Sequence, residues 1–266
     1  MSIVDAEIKT QERVIRFFKD PEILGYQYIG NLSDYQNKNI KEDRLRQYLR
    51  LKGYADKLID AAIMQLQQDA GNLSRGVYDA NKTVYSRLKY GIPVSESPEK
   101  PPVTVELIDE ANPLNNDFAI AEEVTVVEQS EKRPDLVVYL NGIAVVVIEL
   151  KRSSVSVSEG IRQNLTNQKN SFIQSFFTTM QFCMAGNESE GLRYGTLLTG
   201  EKFYMEWKDD GFKEHEDERD PVDVRISKTC AGIENKLLRQ IYAMFDKERF
   251  IDFIMNFVVF DKGIKK

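Results

Sequence analysis

The segment 133–151 (RPDLVVYLNGIAVVVIELK) sets three charged side chains around two strongly apolar runs. Asp135 opens the first run; Glu149 and Lys151, two apart, close the second. Alternation along a strand puts Glu149 and Lys151 on one face. A charge at the end of a buried strand is costly unless it is paired or bound to a cation. Two carboxylates from adjacent strands would make a hard oxygen site suited to Mg²⁺, with the Leu150 carbonyl as a further protein ligand. Such an ion polarises a phosphate and lowers the pKa of a bound water; Lys151 beside it would orient or deprotonate that water. The chemistry expected is hydrolysis of a phosphodiester. The plainer reading is a strand that ends at solvent, with Asp135 capping a turn.

The dipeptide Asn141-Gly142 between the runs is a strong hairpin signal, and its register decides whether Asp135 can join the other two. Pairing Leu140 with Ile143 across a two-residue loop sets Asp135 opposite Ile148, on the wrong face. A three-residue loop with Gly142 left-handed in a bulge pairs Tyr139 with Ile143 and sets Asp135 opposite Val147, within diagonal reach of Glu149. The site therefore requires that odd-length loop, or a bulge elsewhere in the hairpin.

The elements around this hairpin divide the chain into three regions. Residues 1–100 read as mainly helical, with amphipathic patterns at Gln11–Lys19, Asn39–Leu51 and Asp56–Asp69, a short strand at Gly25–Gly30, and a proline-rich connector at Pro93–Pro102. Residues 101–212 read as the catalytic core. Strands are expected at Val103–Ile108, Phe118–Val127, Leu136–Leu140 and Ile143–Leu150. Helices are expected at Ser158–Gln168, capped by Ser158, and at Ser171–Met184. A last hairpin joins Tyr194–Leu198 to Lys202–Trp207 through Thr199-Gly200-Glu201. Residues 213–266 open with an acidic loop and continue as helices at Gly232–Phe245 and Arg249–Phe257. Strands mixed with helices imply an α/β fold with a mixed sheet. The ending at Phe260–Lys266 reads as a cut between domains.

Composition narrows the chemistry further. Of the 266 residues 42% are hydrophobic and 29% charged, ordinary values for a globular protein. No apolar stretch is long enough to span a bilayer and the first residues are not a signal peptide, so the expected location is the cytoplasm without membrane association. Two unpaired cysteines, Cys183 and Cys230, argue against a zinc site or a disulfide framework. The one histidine, His215, sits in a charged run, so the chemistry must rest on carboxylates, lysines and hydroxyls. A net charge of −6 argues against a free-standing nucleic-acid binder. If DNA is the substrate, most of the affinity comes from a partner or from a further domain.

Pro134-Asp135 and Glu149-Leu150-Lys151 match the motif positions of the PD-(D/E)xK nucleases, and the likeness is closer than that superfamily. The run from Arg133 to Gln168 and the run from Phe172 to Leu197 resemble the N-terminal nuclease domain of type I restriction endonuclease R subunits, as do Asn116–Val124 and Asn256–Phe260. The resemblance implies a restriction-endonuclease-like mixed β-sheet flanked by helices, with helical N- and C-terminal extensions. It makes Asp135 and Glu149 Mg²⁺ ligands and Lys151 the catalytic lysine. It implies double-stranded DNA as substrate, with methyltransferase and specificity subunits and motor domains of the same subunit as partners. ATP would act only through those motor domains, because no Gly-x-x-x-x-Gly-Lys-Ser/Thr loop occurs in this sequence. Some members carry Gln-x-x-x-Tyr on the next helix. Here Gln163 matches and Asn167 stands at the tyrosine position, so Gln163 is either a supporting residue or a solvated glutamine. Related folds add an upstream helical acid, for which Glu42 is the candidate. Two other readings stand beside this one: a catalytically silent nuclease fold that docks or clamps DNA, and a stand-alone nuclease.

Overall fold

The computed structural model describes residues 3–97, 99–208, 220–261 and 263–265. In chain order the helices are α1 (Ile3–Lys19), α2 (Glu42–Leu51), α3 (Asp56–Gly71), α4 (Val77–Tyr90), α5 (Val157–Asn167), α6 (Pro221–Ala231), α7 (Lys236–Phe245) and α8 (Lys247–Asn256). The strands are β1 (Gln27–Asn31), β2 (Ile92–Val94), β3 (Val103–Val105), β4 (Phe118–Glu122), β5 (Val126–Val127), β6 (Glu131–Lys132), β7 (Leu136–Leu140), β8 (Ile143–Leu150), β9 (Phe182–Asn187), β10 (Gly191–Gly195), β11 (Phe260–Asp261) and β12 (Ile264–Lys265). Six of them form one mixed sheet in the order β1-β4-β7-β8-β9-β10. The β1–β4 and β8–β9 pairs are parallel and the other pairs antiparallel. The fold is thus the expected α/β arrangement, a central mixed sheet with helices around it and helical segments at both ends of the chain. Among the described residues no helix is long and apolar enough to cross a membrane.

Every residue of β7 and β8 is buried, which is why these strands read as unbroken apolar runs. Each fully buried aliphatic side chain there contributes about 1.5–3 kcal/mol. One face of the sheet packs Ile120, Val138, Val146 and Ile148 against Val14 and Phe18 of α1 and Phe245 and Phe250 from α7 and α8. The opposite face packs Val137, Tyr139, Val147 and Cys183 against Phe176 and Phe177. Val14, Phe17 and Phe18 of α1 are buried at helical spacing, so this helix is held by one apolar face. Its successor β1 joins the sheet at an edge beside β4, so the helical first region supplies part of the sheet itself. The C-terminal ribbon β11–β12 is tied down by Lys265, whose buried ammonium donates to Asn81 Oδ1, Met180 O and Gln181 Oε1. Burial lowers its pKa to about 7.

Several local expectations are corrected. Ser171–Met184 is not a helix: Gln174–Thr179 forms a 3₁₀ turn, and the chain enters β9 at Phe182. Periodicity cannot separate a short buried helix from a buried strand, and here parallel pairing with β8 decides. The hairpin expected across Thr199-Gly200-Glu201 does not form. β10 pairs instead with β9 and Glu201–Phe203 is a 3₁₀ turn, leaving one bridge between Tyr194 and Met205. The cap of α5 is Ser156, whose side chain accepts from the Ser158 N–H. The Pro-rich connector begins within β2 and links it to β3 in a small ribbon, and α4 is a helix that the sequence patterns did not single out. Of the acidic run, residues 213–219, His215 among them, lie outside the described residues, and a helix has begun by Pro221.

The hairpin turn has the two-residue form, with Leu140 opposite Ile143. Asn141 and Gly142 both adopt left-handed backbone, at φ 52° and 81°, as a type I′ turn requires. The turn is buried. Asn141 Nδ2 donates to Leu107 O and Asn116 Oδ1, both at 2.8 Å, and Asn141 Oδ1 accepts from the Asp117 N–H at 2.7 Å. A Cβ on Gly142 would stand 2.7 Å from Leu45 N and from Lys41 O. Gly142→Ala therefore combines backbone strain with a clash against the start of α2, and should cost about 2–4 kcal/mol in urea denaturation.

Candidate functional site

Of the two arrangements that could bring Asp135 to the face of Glu149, the three-residue loop is absent and a bulge farther along the hairpin is present. Pairing runs Leu140–Ile143 and Tyr139–Ala144, then shifts to Val138–Val146, Val137–Val147 and Leu136–Ile148. Val145 is the extra residue, and its carbonyl accepts from the Gln181 N–H at 2.7 Å. One inserted residue reverses which side chains of β8 face which side. Ala144 and Val147 accordingly belong to one apolar cluster, and continuing the register sets Asp135 across from Glu149 rather than Val147.

Both carboxyl groups end up at the same end of the sheet, close enough that the charge of Asp135 acts on Glu149. Asp135 Oδ2 accepts from the Leu150 N–H at 2.7 Å. Glu149 is fully buried; its Oε2 accepts from Gln163 Nε2 at 2.7 Å, while its Oε1 accepts no hydrogen bond. Burial is the main reason both pKa values are raised. For Asp135 the value is about 6, with Lys151 and the Leu150 N–H opposing the rise and Glu123 and Glu7 adding to it. Glu149 rises further, pushed by the Asp135 charge. Two facing acceptors in an apolar setting need either a shared proton or a cation between them.

The donor set fits a hard cation. It comprises two carboxylates, one with a buried unpartnered oxygen, and the Leu150 carbonyl, which leaves the strand on the same edge as the Leu150 N–H that meets Asp135. Among the described residues no three acids, histidines or cysteines converge into a cage. An ion held by few protein oxygens and otherwise by water is the habit of Mg²⁺ more than of Ca²⁺. The Lys151 ammonium stands beside the pair but is bonded elsewhere, 3.3 Å from Glu7 Oε1 on α1.

Helix α5 is brought onto the site by Gly160. A Cβ there would lie 2.9 Å from Ala185 Cβ and 3.3 Å from Glu149 Cβ, so a larger residue would lift the helix from β8 and β9 and carry Gln163 away from Glu149. Gln163 is thus in contact with the acid pair, and Asn167, one turn on, is buried. Glu42 is not at the site. It pairs with Arg46 on the exposed side of α2, whose preceding residue Lys41 donates its N–H to Gly142 O at the turn end of the hairpin. Six residues of β8, at about 3.3 Å each, separate that end from Glu149.

The acids that do surround the pair come from elements whose role the sequence did not announce. Glu7 faces Lys151, and one helical turn on, Gln11 Nε2 bridges Glu122 Oε2 at 2.9 Å and Glu123 Oε1 at 3.0 Å. Tyr28 donates a short hydrogen bond to Glu122, and Arg133 pairs with Glu123 at 2.8 Å. Glu123 is held in left-handed backbone, φ 51°, with its N–H on Asp135 O. The legible signal was Phe118–Glu123, an apolar run closed by acids as β8 is.

Comparison with known proteins places this arrangement in context. The family model described as type I restriction enzyme R protein N terminus matches residues 7–203, which includes Glu7, the hairpin and α5. A relative from Methanocaldococcus jannaschii, the putative type I restriction enzyme MjaIXP endonuclease subunit, is 26% identical over an alignment covering 68% of this chain. The aligned stretch spans 18% of that relative's length.

The raised carboxyl pKa values have a consequence for the metal-free protein. The folded state binds protons more tightly than the unfolded chain between about pH 4 and pH 6 for Asp135, so its contribution to stability falls as pH rises through that window. Asp135→Asn removes this cost while leaving an acceptor for Leu150. In EDTA at pH 8 it should unfold at higher urea than the parent, by about 1–3 kcal/mol, and the gain should vanish near pH 4. Equal stabilities at pH 8 would contradict the assignment of a strained acid pair.

Proposed function

Because this chain belongs to the family of type I restriction enzyme R protein N-terminal regions, we propose that it is the endonuclease module of a restriction complex, hydrolysing phosphodiester bonds of double-stranded DNA with Mg²⁺. The observation that carries this reading is the Asp135–Glu149 pair, face to face with one buried oxygen unpartnered and a lysine alongside. That combination supports a PD-(D/E)xK reading of the site.

Asp135, Glu149 and the Leu150 carbonyl would hold the ion, which supplies charge against the phosphate and acidifies water. Asp135 is oriented by the Leu150 N–H and Glu149 by Gln163, so both acids are fixed before substrate arrives. Gln163 therefore has a positioning role even though Asn167 stands where some relatives carry tyrosine. The Lys151 ammonium would offset charge that builds on the phosphate and orient the attacking water, whose proton only the neutral amine form could take. The apolar walls of β7 and β8 exclude other water from beneath the acids.

The net charge of −6 makes DNA delivery the task of other parts of the assembly. These would be ATP-driven motor domains of a longer subunit, with methyltransferase and specificity subunits choosing the DNA. The chain by itself should then cut DNA poorly.

The test is Mg²⁺-dependent double-strand cleavage by the assembled complex carrying Asp135→Ala or Lys151→Ala. Each variant should lose at least about 100-fold in cutting rate while DNA-stimulated ATP hydrolysis stays within about twofold. Cutting retained in either variant would overturn the assignment and favour the silent clamping reading.

A further inference from the structure

Helix α1 is tied to the site end of the sheet by polar contacts at three levels. Glu7 meets Lys151 at 3.3 Å, Gln11 bridges Glu122 and Glu123, and Arg13 pairs closely with Glu188 beyond β9. The contact with Lys151 differs from the other two in what it engages. Lys151 is only 15% exposed and has two carboxyl groups beside it, yet its ammonium is bonded to neither. A lysine stem is flexible, with several rotatable bonds. Without Glu7 the ammonium would be free to fold down onto Asp135 and Glu149, filling the place of the cation with its own charge.

We propose that Glu7 is a positioning residue for Lys151: helix α1 holds the ammonium to one side of the acid pair, leaving the oxygens open to the metal and two ammonium protons open to water and phosphate. This rests on the nuclease reading of the same site. It differs from a role for Glu7 as a metal ligand, because its carboxylate is engaged with the lysine and, among the described residues, no third acid converges on the pair. Gln11 supports the arrangement by docking the next turn of α1 on Glu122 and Glu123, which fixes the distance from Glu7 to the end of β8.

The experiment compares Glu7→Gln, Glu7→Asp and Gln11→Ala with the parent chain, after urea unfolding has confirmed that each is folded. The first readout is the rate of acylation of Lys151 in metal-free protein, followed by peptide mass spectrometry with the exposed Lys169 as internal reference. Glu7→Gln should change Lys151 reactivity by at least about threefold, Glu7→Asp should restore most of the parent value, and Gln11→Ala should have the smaller effect. The second readout is Mn²⁺ affinity without DNA. A positioning role predicts for Glu7→Gln a loss of about two- to fivefold, from the lysine competing for the oxygens, cancelled in the Glu7→Gln/Lys151→Met double variant. A loss of about tenfold or more that persists in the double variant would make Glu7 a ligand and overturn the proposal. So would unchanged Lys151 reactivity, or an equal change in Gln11→Ala, which would reduce Glu7 to an anchor of α1. In the assembled complex Glu7→Gln should lower the cleavage rate about tenfold with DNA affinity unchanged. If the parent complex does not cut while the acylation and Mn²⁺ results hold, the nuclease reading fails and the positioning of Lys151 stands.

Discussion

Two carboxyl groups facing one another at the end of a buried strand pair set the terms for the rest of this molecule. Burial favours the neutral forms of both Asp135 and Glu149, and the Asp135 charge pushes Glu149 further the same way, so the arrangement depends on what surrounds it. The Leu150 N–H and the Gln163 amide each satisfy one oxygen, and Lys151 supplies a compensating charge. One oxygen of Glu149 is left with nothing to accept. Under the proposed function a bound cation would offset the cost of folding such a pair, which would couple stability to metal binding.

The supporting elements can be understood from that requirement. Helix α5 must approach β8 closely enough for an amide to touch Glu149, and Gly160 permits the approach. Helix α1 must carry a polar edge across the sheet end while its other face is buried among aromatic residues of α7 and α8. The turn at Asn141-Gly142 lies at the far end of the hairpin, locked by the Asn141 amide and by α2. It does no chemistry, but it anchors the register from which the bulge at Val145 then departs. A slip of one residue anywhere along this hairpin would turn Asp135 or Glu149 toward the opposite, apolar face.

Rigid placement of the acids and a net negative charge are compatible with the proposed cutting role. The acids are positioned by short local hydrogen bonds, whereas the surface carries excess negative charge. If the site cleaves DNA as proposed, something else would have to bring the phosphate to it.

The candidate site was legible in the sequence because its residues are written in local patterns. Two apolar runs, an Asn-Gly turn between them, and acids and a lysine at the outer ends follow from strand periodicity and turn stereochemistry alone. The resemblance added the reading of Gln163. What the sequence could not decide is how residues distant along the chain meet. The bulge falls in the run Val145-Val146-Val147, where identical side chains give no sign of which one is extra; the Gln181 N–H and the pairing with β9 select Val145. The same parallel pairing starts a strand at Phe182, inside the stretch Ser171–Met184 where periodicity suggested a helix. The upstream acid is the clearest case. Glu42 and Glu7 are both acids on amphipathic helices, and only the packing of α1 along β1, against α2 at the turn, carries one to Lys151 and leaves the other at the opposite end of β8. Local chemistry is encoded residue by residue, but its assembly belongs to contacts formed across more than a hundred residues.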